Sequence, residues 1–370
     1  METALLSLLE KEAVSTPEIS GGLRSFSQTA FSFSGVMMKK GWKFALLGAI
    51  FIVIFFASFL LGRYSATPVS LLRALRGGDE AELATLTAVF VRIRLPRIAA
   101  AALVGAALGA AGTAYQGMFR NPMVSPDILG ASTGAGFGAA LGILLSAGYF
   151  GISVMAFVFG LAAVLLAYLI GRLSRLNSTL AMVLSGVMIS SLFTACTSLI
   201  KLVADTADQL PAITYWLMGS LASVKTRDML FCAVPVLVGL VPLLILSWRM
   251  NLLTVSDDEA RSMGVNTTRL RGIVIVCATL MTSASVAVSG MIGWVGLVIP
   301  HFCRMMFGSD HRALMPASVL MGASFLIVVD DIARTAAVSE IPLGILTSFV
   351  GAPLFLYLIV TGGARRDRDK

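Results

Sequence analysis

The first candidates for a functional site are charged residues that stand beside long apolar runs. Asp330, Asp331 and Arg334 end one such run in "LIVVDDIART". Spacings of three and four residues put Arg334 on the same helical face as both carboxylates, so a local ion pair is one interpretation. Adjacent aspartates diverge by about 100° on a helix and cannot readily share a proton. The pair is therefore a poor candidate for enzyme chemistry, and the functional interpretation is that the two aspartates orient Arg334.

A second basic group stands in "FVRIRLPRIAA", where Arg92, Arg94 and Arg97 precede another apolar run. One interpretation is that these side chains snorkel to lipid phosphates or pair with the acidic residues in 79–82. The other is that they form a basic patch on which an acidic protein docks, because complementary charge steers and orients an encounter. In that second interpretation Arg334 joins the patch.

The sequence lacks the motifs of several enzyme classes. It contains no GxxxxGK[ST] phosphate loop, no HExxH and no GxSxG, so ATP hydrolysis by that loop is excluded. The four cysteines have no CxxC spacing and lie within or at the edge of apolar runs, which predicts buried hydrophobic residues and no metal site. We therefore predict no cofactor bound by this chain and no enzyme activity. If the chain is a transporter, it lacks its own energy source and needs a partner to supply one.

Composition predicts the elements that position these residues. Hydrophobic residues make up 57% of the chain and charged residues 13%, whereas soluble domains are about a quarter charged. Apolar runs of about twenty residues recur, which predicts an all-α polytopic membrane protein with about ten transmembrane helices. The predicted spans are Trp42–Leu61, Leu95–Met118, Ile128–Ser146, Ile152–Ile170, Leu180–Ile200, Met229–Trp248, Gly272–Ser289, Val295–Phe307, Leu314–Arg334 and Ile345–Thr361.

Basic residues predict the orientation. Lysines precede the first span and the last seven residues are rich in arginine, so both termini are expected in the cytoplasm. The predicted organisation is a cytosolic extension (1–41), a transmembrane domain (42–363) and a cytosolic basic tail (364–370). The extension has acidic residues early and no long apolar core, unlike a signal peptide.

Glycines recur at every fourth position after a polar link. Gly130, Gly134, Gly138 and Gly142 form one smooth stripe, and the preceding span carries another in "VGAALGAAG". Small residues let helices approach closely in lipid, so the two spans are expected to pack as a hairpin. The proline-rich link "RNPMVSPD" between them predicts a kinked turn, either an ordinary loop or a gate or partner contact.

The longest internal loop, Arg249–Arg271, predicts two short helices broken at Gly264. Ser256 is expected to cap the first helix, whose acidic first turn suits the positive end of a helix dipole. Such an element is either solvated or a docking knob for a cytosolic protein.

Several stretches together resemble the membrane subunits of binding-protein-dependent ABC importers for iron-siderophores, haem and vitamin B12. They are "RIRLPRIAAAALVGAALGAAGTAYQGMFRNPMVSPDILGASTGAG", "EARSMGVN", "GWVGLVIPHFCRMMFGSDHR", "MPASVLMGASFLIVVDDIART" and "IPLGILTSFVGAPLFLYLI". The resemblance implies a type II importer permease in the cytoplasmic (inner) membrane of a prokaryote, working as a homodimer with the path between its subunits. It also implies a cytosolic ATPase dimer, which would bind the ATP and Mg, and a periplasmic or lipid-anchored substrate-binding protein.

The resemblance assigns roles to residues by motif. Arg94, Arg97 and Arg334 would meet acidic residues of the binding protein. The cytoplasmic gates would be formed by Asn121, Met123, Ser178 and Thr179. The segment that enters a groove of the ATPase would be Glu259, Ala260, Arg261, Ser262, Met263 and Gly264. The fifth span, and the tenth with it, would line the path.

The sequence leaves the cargo open. Siderophore, haem and cobalamin fit the resemblance, and some members of the family carry molybdate or tungstate instead. An ion-gradient-driven carrier or channel and an intramembrane enzyme using Asp330 and Asp331 are the alternatives from other classes. Nothing in the sequence suggests a nucleic-acid partner.

Overall fold

The computed structural model describes residues 40–62, 80–174, 178–255 and 257–366. Contacts divide the chain into two units, Met1–Ala45 and Leu46–Lys370, and the first contributes only the start of one helix to the described residues. The predicted extension therefore lies almost wholly outside the described residues, and so does the predicted tail from residue 367 onwards. Their cytosolic location and the limits of the predicted membrane domain stay predictions.

All regular structure among the described residues is helical, which confirms the predicted all-α class. In chain order the α-helices are α1 (Lys40–Ser58), α2 (Glu80–Thr87), α3 (Leu95–Met118), α4 (Ala131–Leu144), α5 (Gly148–Leu173), α6 (Ser178–Val203), α7 (Gln209–Leu217), α8 (Thr226–Met250), α9 (Asp257–Ser262), α10 (Thr267–Ser289), α11 (Val295–Phe307), α12 (His311–Thr335) and α13 (Leu343–Arg366). A π-helical segment, Ala88–Arg94, joins α2 to α3, and 3-10 turns occupy Pro126–Leu129 and Asn251–Leu253.

Seven helices within the described ranges are long and apolar enough to cross a membrane. They are Gly41–Ser58, Leu83–Met118, Gly148–Leu173, Thr179–Val203, Thr226–Leu253, Thr267–Ser289 and His311–Thr335. Three shorter apolar helical stretches are the helices Ala131–Leu144 and Val295–Phe307 and the part Leu343–Leu356 of α13. Every predicted span overlaps one of these helices, so the polytopic architecture is confirmed. The count of about ten crossings stays a prediction, because seven helices within the described ranges are both long and apolar enough for a crossing.

The segment before α3 was predicted as a connection and is helical instead. α2, the π-helical segment and α3 form one run, within which the Leu95 N–H donates to the Phe90 carbonyl five residues back. Pro96 follows at the start of α3 and has no N–H to donate. A wider π turn at this point lets the helix continue past the proline.

The glycine stripes approach other helices closely, but the predicted hairpin between the second and third spans is wrong. A Cβ on Gly105 of α3 would overlap the carbonyl of Gly322 in α12. A Cβ on Gly138 of α4 would overlap the carbonyl of Met155 in α5. Small residues specify a close approach without specifying its partner, and the link 119–130 is long enough to separate α3 from α4.

The predicted helix–glycine–helix element is present, with one correction. α9 is short, and Gly264 follows it with φ of 79°. The second helix is not short, because it is the start of α10. Its N-cap, Asn266, accepts a hydrogen bond from the Arg269 N–H at 2.9 Å. Ser256, predicted to cap α9, lies outside the described residues.

Long-range contacts define two ends of the bundle. We call the end with Arg94, Arg97 and Arg334 the arginine end. The other, the loop end, holds the link 119–130 and the 3-10 turn 251–253. α3 joins the two ends and is 24 residues long, or about 36 Å.

Candidate functional site

Arg97 is held inside the arginine end by two carboxylates of its own chain. Its Nε lies 2.9 Å from Asp330 Oδ2, and its Nη2 lies 2.8 Å from Asp330 Oδ1. Both terminal nitrogens also donate to Glu340, at 2.9 Å each. The Arg97 side chain is 9% exposed and that of Asp330 is 2% exposed. Such forked pairs combine charge with fixed geometry, so Arg97 ties α3 to α12 and to the segment after α12.

Arg334 forms the local ion pair predicted from its spacing, but with one of the two aspartates. It pairs with Asp331, and its Nη2 also donates to the Ser58 carbonyl at 2.7 Å. The Ser58 hydroxyl in turn donates to Asp331 Oδ1 at 2.6 Å. Asp330 points to Arg97 instead, as expected for neighbouring positions on a helix. Arg334 thereby joins α12 to the end of α1.

Arg94 completes the arginine end. It is buried, donates to the Phe59 carbonyl, and its guanidinium carbon lies 5.3 Å from the centre of the Phe90 ring. Arg92, two residues earlier, is exposed. All three predicted docking arginines therefore have acceptors within their own chain. Direct contact of these arginines with acidic residues of another protein stays a prediction. Asp79, among the alternative partners, lies outside the described residues.

The link carries the first pair of predicted gate residues on the surface of the loop end. Asn121 is exposed, and its Oδ1 accepts a hydrogen bond from the Met123 N–H at 2.9 Å. Met123 is 51% exposed. This side-chain turn, together with Pro122, confirms the predicted kink. The gating role of Asn121 and Met123 stays a prediction.

The second predicted gate pair lies at the beginning of α6. Ser178 is the first residue of that helix, and Thr179 is half-buried in its first turn. Met182, one turn on, borders a cavity together with Arg271 near the start of α10. The start of α6 therefore belongs to the loop end, where the link also lies. The structure thus places both predicted gate pairs at the same end of the bundle.

Beyond the gate residues, the link packs against the middle of α6. A Cβ on Gly186 would overlap the Ile128 carbonyl. The Asp127 carboxylate accepts a hydrogen bond from the Ser132 hydroxyl. It accepts another from the Ser125 hydroxyl at 3.4 Å. Burial raises the pKa of the Asp127 carboxyl, and these hydrogen bonds oppose the increase.

An open groove of about 570 Å³ runs along α6 beside this turn. Its lining includes Asp127, Ser190, Ser191, Thr194 and Ser198. The hydroxyls of the last three donate to backbone carbonyls of α6 itself, at 2.7–3.0 Å. Each hydroxyl hydrogen is therefore already used inside the helix. The groove is polar enough to be wetted but offers few strong donors to a passing solute.

The segment predicted to enter the ATPase groove, Glu259–Gly264, lies at the loop end, and we call its helix, α9, the coupling helix. Glu259 is exposed and Met263 is 60% exposed, whereas Ala260 is fully buried. α9 is therefore anchored on one side and presents the other to solvent. This arrangement is compatible with docking into a groove of another protein, and that role stays a prediction for all residues from Glu259 to Gly264.

Gln116 is a buried residue of the loop end that the sequence interpretation missed. Its Nε2 lies 3.2 Å from the Val124 carbonyl and 3.3 Å from the Gly296 carbonyl, and its Oε1 accepts from Arg304. It therefore fastens the link to α11. The signal was a lone amide in the otherwise small and apolar run of α3, which is a common sign of interhelical hydrogen bonding.

Comparisons with known proteins identify the class of protein. The FecCD transport family model matches residues 50–361, so the chain belongs to that family of transport permeases. It is 41% identical over 278 residues to the molybdate import system permease protein MolB of Haemophilus influenzae, covering 74% of this chain and 82% of that protein. It is also 41% identical over 278 residues to a probable iron chelatin transport system permease protein of Helicobacter pylori, covering 75% and 84%.

A solved structure supports the same assignment. It is described as an inward-facing conformation of a metal-chelate type ABC transporter, and it matches this fold with a TM-score of 0.77 at 38% identity. The match covers 85% of this chain and 97% of that one. The resemblance noted in the sequence is thereby confirmed at the level of the family and the fold.

Proposed function

We propose that this chain is the permease subunit of an ATP-driven importer that moves an iron chelate such as a siderophore or haem, or a cobalamin, across the cytoplasmic membrane. The groove along α6 is the observation that carries the proposal. A permease wall must let solute pass without holding it, and hydroxyls that donate within their own helix meet that requirement. The family membership and the iron chelatin relative support the same class of cargo.

We further propose that a second copy of the chain closes this groove. Asp127 is only half-buried where it borders the groove. A carboxyl group facing lipid hydrocarbon is costly, whereas the same group facing a water-filled path is tolerated. The α6 surface beside the groove is apolar, with Met188 67% exposed and Leu192 56% exposed. These side chains suit packing against another copy, with the path enclosed between the two.

The two ends then take different partners. At the loop end, α9 would dock into a cytosolic ATPase dimer that binds ATP and Mg, since this chain has no phosphate loop. At the arginine end, a substrate-binding protein would deliver the cargo from outside. This orientation places both termini in the cytoplasm. ATP-driven closure of the ATPases would move α9, and the gates at Asn121, Met123, Ser178 and Thr179 would respond.

Reconstitution tests the proposal. The permease, with its ATPase and binding protein, is placed in proteoliposomes and offered labelled ferric siderophore, haem, cobalamin and molybdate in separate reactions. Uptake of one of the first three, dependent on ATP and on the ATPase, is expected. The molybdate arm is included because the MolB relative has the same identity as the iron chelatin relative. Uptake driven by a proton gradient without the ATPase would contradict the proposal and favour a secondary carrier.

A further inference from the structure

Arg120 occupies a backbone position that normally belongs to glycine. Its φ is 53°, in the left-handed region. The Arg120 N–H donates to the Gly117 carbonyl at 3.2 Å, and the Asn121 N–H donates to the Gln116 carbonyl at 3.1 Å. These two bonds form a Schellman motif at the end of α3, with Arg120 at the position that glycine usually fills because a Cβ is disfavoured there. A contact of the Arg120 side chain is therefore expected to offset the unfavourable backbone conformation.

The side chain of Arg120 reaches the turn that leads into the coupling helix. Its Nε donates to the Leu253 carbonyl at 2.8 Å. Leu253 is buried and ends the 3-10 turn Asn251–Leu253, and α9 begins four residues later at Asp257. Asn121, the predicted gate residue, is the next residue after Arg120. One hydrogen bond therefore connects the base of the coupling helix to the base of the gate.

The turn that Arg120 contacts is itself firmly held. Asn251 Nδ2 donates to Asp310 Oδ1 at 2.8 Å, and Asn251 Oδ1 accepts from the His311 N–H at 2.8 Å. Residues 251–253 thus move with the start of α12 as one body. A displacement of that body would be passed through Arg120 to the link rather than lost in a loose loop.

We propose that Arg120 is a positioning residue that transmits movement of α9 to the gate at Asn121 and Met123. This inference rests on the proposed function, since it requires α9 to be moved by an ATPase. The hydrogen bond from the long Arg120 side chain to the Leu253 carbonyl offsets the unfavourable backbone conformation.

The chain offers a matched backbone control. Ser146 has φ of 54° and occupies the same motif at the end of α4, where the Ser146 N–H donates to Ile143 and the Ala147 N–H to Gly142. It is exposed and follows the end of α4 that lies away from the link 119–130. Ser146→Gly therefore relieves the same backbone strain without removing the bond to Leu253. Arg120→Gly relieves the strain and removes the bond, and Arg120→Ala keeps the strain and removes the bond.

The experiment measures the gate directly in the full assembly with its ATPase. Met123→Cys, in a background free of the native cysteines, carries a spin label, and the distance between labels on the two copies is measured with and without ATP and vanadate. In the otherwise wild-type chain and in Ser146→Gly the distance is expected to change. In Arg120→Gly and Arg120→Ala the change should fall by more than half and uptake by about tenfold. Arg120→Gly should have a higher melting temperature than Arg120→Ala, because glycine relieves the backbone strain that alanine keeps.

Three outcomes would overturn the inference. An undiminished distance change in Arg120→Gly would show that the bond carries no movement. If Arg120→Gly no longer binds the ATPase, or if its melting temperature falls, Arg120 has a purely structural role. If the distance between the labels does not change with ATP in the otherwise wild-type chain, the proposed function is refuted, and the inference with it.

Discussion

Removing the Arg97 guanidinium is expected to destabilise the chain more than any single surface change. Arg97→Gln leaves Asp330, which is 2% exposed, without its cation and deprives Glu340 of the same partner. Breaking a buried ion pair by removing one member costs about 3–5 kcal/mol, because a charge is left uncompensated. At about 2–4 °C per kcal/mol, the melting temperature should fall by on the order of 10 °C.

A double-mutant cycle tests the reason for this loss. Asp330→Asn alone should cost about 1–2 kcal/mol, because Arg97 keeps Glu340. The double variant Arg97→Gln/Asp330→Asn should be about 1–3 kcal/mol more stable than Arg97→Gln, because the unpaired buried charge is gone. Thermal unfolding in detergent, followed by size-exclusion chromatography, gives the four values. Arg92→Gln is the control, since exposed Arg92 should change stability by no more than about 0.5 kcal/mol.

Two results would refute this reasoning. If Arg97→Gln unfolds at the wild-type temperature, Arg97 is not held by the two carboxylates. If the double variant is less stable than Arg97→Gln by the full cost of Asp330→Asn, the two residues act independently and the pairing carries no energy.

Three further predictions follow from other contacts. Gly105→Val should prevent the close approach of α3 and α12 and lower the yield of folded protein. Gly272→Ala is the control, because a Cβ there meets nothing within 4 Å, and it should leave yield and melting temperature unchanged or higher. Equal effects of the two variants would contradict the packing argument. The triple variant Ser191→Ala/Thr194→Ala/Ser198→Ala should keep uptake within about twofold of the wild-type rate, because these hydroxyls donate inside α6. Abolished uptake would show that the hydroxyls bind the cargo. Glu340→Gln should strengthen binding of the substrate-binding protein, measured by surface plasmon resonance. The Glu340 side chain is 21% exposed, so another protein could replace it as a carboxylate partner of Arg97. Unchanged affinity would argue against docking through Arg97.

Features set by local composition could be predicted from the sequence. Leu95–Met118 and Val295–Phe307 coincide with helices α3 and α11, because in a bilayer an apolar run must satisfy its backbone within itself. The Arg334–Asp331 pair followed from a spacing of three residues. The helix–glycine–helix element followed from one glycine and an asparagine cap.

Features set by distant partners could not be predicted in this way. Arg97 and its acceptors Asp330 and Glu340 are more than two hundred residues apart, and no local pattern names such a partner. The same holds for the glycine stripes, which meet α12 and α5 rather than each other. Arg120 was hidden for a different reason, because a proline-rich link predicts a turn but not which of its residues has a positive φ.

The bonds at the two ends of the bundle differ in strength, and this difference decides where a moving ATPase could deform the chain. At the arginine end, a buried ion pair joins α3 to α12, and hydrogen bonds of Ser58 with Arg334 and Asp331 join α1 to α12. Removing one member of such a buried pair costs about 3–5 kcal/mol. At the loop end, the connection between the link and the turn before α9 includes the Arg120–Leu253 hydrogen bond, a contact of a kind worth about 0.5–3 kcal/mol. A displacement applied at α9 will therefore rearrange the loop end before it separates the pairs at the arginine end. The arginine end therefore has the stronger connections, and the weaker Arg120–Leu253 contact at the loop end is the one that a moving ATPase would change first.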